Sequence, residues 1–201
     1  MGLLKSFAVL FEKASGKKLA PGRVRVRGSG MASVVPFIAV DPKSFQQKRP
    51  RGTVTGTLFV RFEGGVFPEE GWSDFPVNVL KNWIDAWINL VEVPSRREVQ
   101  WEFMDGPHSL TVTRVDRTAS SGAIEFQTVH QALLEAAELV LTYCDEQKLD
   151  SRELEILREA TQRLRMVRGD ARLGAGRIAY FEARTRIPVV PRRARPTAGK
   201  S

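Results

Sequence analysis

One cysteine, Cys144, is all the thiol chemistry this chain of 201 residues has. That excludes an intramolecular disulfide framework and any Cys-based zinc site, and it fits a reducing, cytoplasmic setting. Histidine is almost as scarce, with only His108 and His130. His130 and Cys144 fall on one predicted helix, roughly 21 Å apart by helical rise, too far for a Cys–His pair. Asp105, His108 and Ser109 crowd one predicted hairpin. Side chains so close in sequence rarely converge as orienter, base and nucleophile, so they read as turn chemistry. No phosphate-binding loop is present: Gly199-Lys200-Ser201 has no glycine at the required spacing before it. Gly169, Gly174 and Gly176 follow no predicted strand, so a dinucleotide fingerprint fails as well. Asp74, Asp85 and Asp105 are scattered near the ends of elements and read as acidic surface rather than as a metal site. No apolar run approaches the roughly 20 residues that span a bilayer. These absences point to a protein that is not an enzyme and uses no cofactor or metal.

Charge of one sign is in the minority in turn in each part of the chain. Residues 1–52 carry 11 Lys/Arg and 2 Asp/Glu, residues 53–166 carry 11 and 19, and residues 167–201 carry 9 and 2. The formal net charge of +8 and the pI near 10.1 therefore belong to two basic arms around an acidic body. Nucleic-acid binding, where charge suggests it, belongs to the arms alone.

What is present is concentrated in Phe62–Val91, which holds three of the four tryptophans. Gly64-Gly65 is a turn signal after a strand end, since paired glycines supply φ > 0 without a steric penalty. Val66-Phe67-Pro68 reads as a short extended return. Ser73 or Asp74 is placed to cap a helix whose first turn takes Pro76. From Val77 the apolar period is 3.6. Val77, Leu80, Ile84, Trp87, Ile88 and Val91 share one face, and Val79, Trp83, Ala86 and Leu90 widen it well beyond an amphipathic stripe. This helix should be covered on more than one side, with Trp83 and Trp87 in the core. Trp72 precedes it in a loop with Glu69, Glu70 and Asp74. It either staples the helix entry or stands out as an anchor for a partner.

Around that stretch, Met1–Lys18 has helical spacing of apolar residues and could dock on the body, remain unfolded, or serve targeting or membrane contact. Met1-Gly2 with Ser6 also fits the loose myristoylation pattern. Lys17–Gly30 is a basic linker in which Arg23, Arg25 and Arg27 alternate with valines, and Met31 could be a second start. Val34–Val40 suggests an edge strand, and Asp41–Arg51 reads as loop. Period-2 alternation marks strands at Thr53–Glu63, Val99–Phe103, Leu110–Thr113 and Ala123–Gln127, with Asp105-Gly106 turning a hairpin. Thr128–Gln131 has the pattern of a capping box before a helix to about Glu146, and Asp150–Glu153 caps another to Val167. Arg192, Arg193 and Arg195 lie in a Pro-containing tail that reads as disordered.

The expected fold is α+β: a four-stranded antiparallel meander with one inserted helix and a C-terminal antiparallel helix pair, flanked by basic arms. The expected boundaries are 1–52 for the N-terminal arm, 53–167 for the acidic domain and 168–201 for the basic tail. The runs GGVFPEEGWSDFPVNVL and WEFMDGPHSLTV, through Phe67-Pro68, Trp72, Asp74-Phe75 and Asp105-Gly106-Pro107, resemble small bacterial single-domain proteins of the immunity-protein kind over about residues 53–164. That resemblance implies an acidic, aromatic-rich α+β body without catalytic residues. The functional expectation is a protein-binding domain that takes a basic protein partner through Glu69, Glu70, Trp72 and Asp74. The alternative is nucleic-acid association through Arg23, Arg25, Arg27, Arg192, Arg193 and Arg195.

Overall fold

The computed structural model describes residues 24–25, 37–62, 65–116, 124–167 and 177–185. In chain order these form β1 (Val24–Arg25), β2 (Phe37–Gln47), β3 (Val54–Phe62), β4 (Gly65–Phe67), β5 (Ser73–Asp74), α1 (Pro76–Glu92), β6 (Glu98–Glu102), β7 (His108–Asp116), β8 (Ile124–Glu125), α2 (Phe126–Glu146), α3 (Arg152–Met166) and β9 (Arg177–Thr185). The class is α+β, and every strand pairing is antiparallel.

The strands form two sheets rather than one four-stranded meander. One runs β2-β3-β4 with β5 on β3, and the other runs β1-β9-β7-β6 with β8 on β9. The helix after β5 carries the chain from the first sheet to the second, which is why β3 and β6 do not pair. The place beside β7 expected for Ala123–Gln127 is filled by β9, in register from His108↔Thr185 to Asp116↔Arg177. β9 can take it because Ala179, Phe181 and Ala183 alternate onto the buried face. Only Ile124 and Glu125 remain strand, and they pair with β9.

The boundaries at 53 and 167 therefore do not bound the sheets. Residues 37–47 pair along β3, with a register shift between Asp41 and Gln46 that accommodates Pro42, so the loop expected at Asp41–Arg51 is largely strand. Phe45 is buried there and meets Tyr143 edge-on at 5.6 Å. Gly56 lies so close to Phe45 that a Cβ would come within 2.4 Å of the ring, which fixes glycine at that position. At the other end, residues 177–185 are an inner strand of the second sheet and not part of a tail.

The Trp-rich helix α1 is the hub. It packs against β3 of one sheet, β6 of the other, and both α2 and α3. Val77, Val79, Leu80, Trp83, Ile84, Trp87, Leu90 and Val91 are buried on it, as the broad apolar arc requires. Its N-cap is Phe75, with Pro76 in the first turn and no side-chain cap, so neither Ser73 nor Asp74 caps it. Trp87 meets Phe126 at 4.8 Å, and its Nε1–H donates to His130 Nδ1 at 3.4 Å. That burial of Phe126 starts α2 two residues ahead of the expected capping box, and Glu125 is its N-cap without a side-chain bond. The start of α3 agrees with its sequence: Ser151 Oγ accepts from Leu154 N–H at 3.3 Å. At the far end of α1, the buried Arg114 directs Nη1 to the Pro94 carbonyl at 3.0 Å, a cation set where helix carbonyls concentrate negative potential.

Candidate partner-binding surface

The loop before α1 and the tip of the β6–β7 hairpin are tied together by one carboxylate. Asp74 is only 1% exposed. Its Oδ1 accepts from Phe75 N–H at 2.7 Å and Asp105 N–H at 3.2 Å, and its Oδ2 accepts from Met104 N–H at 3.0 Å and Trp72 Nε1–H at 3.2 Å. An ionised carboxylate offers only acceptors, so it matches a ring of N–H donors. Asp74 thus does not face a partner. It holds in place the backbone of the hairpin tip and the Trp72 indole, a role that an aspartate in a turn-forming Ser-Asp-Phe-Pro run can signal.

Trp72 is half-buried and staples the two loops. Its ring meets His108 edge-on at 4.8 Å and 87°, and a Cβ on Gly106 would sit 3.2 Å from its Cη2 and Cζ2. Gly106 also has φ +118°, so both its backbone and the indole require glycine there. His108 packs in turn on Phe67 at 5.7 Å. Burial pushes the His108 imidazole below its ordinary value, while the carboxylates of Glu69 and Asp74 pull the other way. Glu69 and Glu70 are exposed, and Glu70 Oε1 accepts from Arg61 Nη2 at 2.7 Å.

Met104 is a candidate residue that the sequence analysis does not single out. It is 49% exposed at the hairpin tip beside Asp105, Gly106 and Pro107, all of them exposed. An apolar residue directly before Asp-Gly was the available signal. Met104 also walls a cleft of about 210 Å³ with Asn78, Lys81, Asn82, Glu153 and Ile156. The surface is therefore acidic and partly apolar, and it is built on anchored backbone. A second, open hollow between α2 and α3 is lined by residues that pair with one another, Arg165 with Glu138 at 2.8 Å and Arg158 with Asp145.

Of the basic residues considered for nucleic acid, Arg25 lies in β1 opposite Glu182 of β9. Arg23, Arg27, Arg192, Arg193 and Arg195 lie outside the described residues. Among the described residues, no helix is long and apolar enough to cross a membrane, and no three His, Cys, Asp or Glu side chains gather as a metal-holding group. In comparisons with protein-family models, curated proteins and solved structures, nothing matches this chain.

Proposed function

We propose that this chain is a non-enzymatic protein-binding domain, immunity-like in plan, that takes a basic protein partner on the acidic face around the hairpin tip. The observation that carries this reading is the anchoring of Met104 and Asp105 by the buried Asp74 carboxylate, next to the exposed Glu69 and Glu70. A surface held this firmly loses little conformational freedom when a partner docks. The carboxylates would steer and orient a basic partner, and desolvation of Met104 and the rim of Trp72 would supply affinity. The surplus of acidic over basic residues in 53–166 supports the same choice of partner.

Affinity capture from the native host tests it, with wild type beside a Glu69→Lys/Glu70→Lys/Met104→Asp variant. The triple variant changes exposed side chains and leaves Asp74 and Trp72 in place. A stoichiometric basic protein retained by wild type and lost by the variant is the expected result. Recovery of nucleic acid alone, released by nuclease and by salt, would instead assign binding to the basic arms.

A further inference from the structure

Among the described residues, strand β6 is paired with another strand on one side only. Phe103 N–H donates to the His108 carbonyl at 3.0 Å, and Arg114 N–H donates to the Arg97 carbonyl at 2.8 Å. With the register Val99↔Val112 and Trp101↔Leu110, odd-numbered residues direct their backbone groups at β7. Antiparallel pairing then turns the backbone groups of Glu98, Gln100 and Glu102 outward. β6 ends the sheet order, so among the described residues no strand lies on that side. The Glu102 carbonyl is occupied by Trp83 Nε1–H at 3.0 Å, which closes the edge at one end. The N–H and C=O of Gln100 sit in the middle of it. Gln100's side-chain amide is held back against Thr111 Oγ1 at 2.9 Å, which keeps it off the edge.

We infer that this edge accepts an extended basic segment of a partner protein as an added antiparallel strand. The inference rests on the protein-binding reading above and names the partner's chemistry. Side chains of Glu98, Gln100 and Glu102 share the outer face, and both glutamates are exposed. Residues directly opposite on a neighbouring strand come within about 5.5 Å, where opposite charges attract and like charges repel. An incoming strand therefore fits with Lys or Arg opposite Glu98 and Glu102, a neutral residue opposite Gln100, and apolar residues between them facing α1. A second copy of this chain does not fit. Pairing β6 with itself about Gln100 sets Glu98 of each copy against Glu102 of the other. The edge leads directly into Met104, so an added strand would run up to the anchored hairpin tip.

The test uses three capped peptides on the full chain, followed by amide NMR. They are Lys-Val-Thr-Val-Lys, the same peptide N-methylated at Thr, and Glu-Val-Thr-Val-Glu. The basic peptide, at millimolar concentration, should slow exchange of the Gln100 N–H by about tenfold at saturation. The methylated and acidic peptides should leave it unchanged. Glu98→Lys/Glu102→Lys should reverse the preference toward the acidic peptide. Gln100→Pro removes the outward N–H together with the side-chain bond to Thr111 Oγ1, so the amides of Val99 and Trp101 should no longer respond to the basic peptide, whereas Gln100→Ala, which loses the same side-chain bond but keeps the N–H, should still bind it. Equal binding of the methylated peptide, or no response at Gln100, overturns the inference. If Gln100 is silent while shifts gather at 69–72 and 104–107, the protein-binding reading survives and the strand addition does not. Failure of that reading would show separately, as absence of any captured basic protein.

Discussion

Trp83 and Trp101 lie ring on ring, 4.9 Å between centroids and 8° between planes, yet only one of the two indole N–H groups is bonded. Trp83 Nε1 reaches the Glu102 carbonyl, whereas Trp101 Nε1 is buried without a hydrogen-bond partner. A buried unmet donor costs about 1–3 kcal/mol, and removing it recovers that amount. Trp83→Phe should therefore destabilise the fold by about 2–3 kcal/mol, and Trp101→Phe by less than about 1 kcal/mol. Urea denaturation of both variants checks the order, and equal losses would contradict it. Trp83→Ala and Trp87→Ala, both fully buried, should each cost about 3–5 kcal/mol.

Asp74 gives a second prediction. Asp74→Ala strands the N–H groups of Met104 and Asp105 and the Trp72 indole. The expected loss is about 3 kcal/mol by denaturation. The Trp72 fluorescence of the folded variant should shift to longer wavelength as the staple loosens. A loss under about 1 kcal/mol would mean that the hairpin tip is held by its own turn alone.

The two histidines set a pH dependence of one sign. Burial holds both imidazoles below 6.5 in the folded state, and Trp87 Nε1–H on Nδ1 requires His130 to be neutral. Above 6.5 both are neutral folded or unfolded, and their contribution is fully present. As pH falls below 6.5 toward the folded values, the unfolded chain binds protons that the folded chain does not, so stability declines. Stability measured from about pH 7.5 to 5 should fall in the wild type and fall less steeply in His130→Leu. Identical slopes would remove His130 from the account.

Deleting residues 177–185 should abolish cooperative unfolding, as followed by near-UV circular dichroism. The deletion removes Ala179, Phe181 and Ala183 from the core, together with the ring contact of Phe181 to Trp101 at 5.4 Å. A sharp transition in the deleted chain would show that β6 and β7 stand without it.

The helices were the legible part, because 3.6-residue spacing over α1, α2 and α3 needs no knowledge of distant partners. The arc from Val77 to Val91 even announced burial on several sides. Of the strand pairings, only the β6–β7 hairpin about Asp105-Gly106 was legible; the more distant partners were not. β9 hides its alternation behind two alanines and a ring, in a stretch flanked by arginines, so charge outweighed pattern. The division into two sheets depends on where α1 sends the chain, which no local period encodes. The exposure of Glu69 and Glu70 and the stapling position of Trp72 follow from the loop's composition. Asp74 was misplaced at the surface because an aspartate's usual solvation conceals one that is satisfied by backbone donors. The exposure of Met104 becomes visible only once the hairpin is closed.

The position of β9 inside the second sheet also bears on biosynthesis. Chains emerge from the ribosome N-terminus first, at about 5–20 residues per second. The first sheet and α1 are complete by Glu92, but β7 cannot gain its inner neighbour until residues 177–185 have been translated. For that interval Trp101, Leu110 and Val112 lack the strand that finally covers them. A nascent chain stalled before Arg177 should accordingly be a substrate for chaperones that hold apolar strands, and release of the last segment should end that dependence.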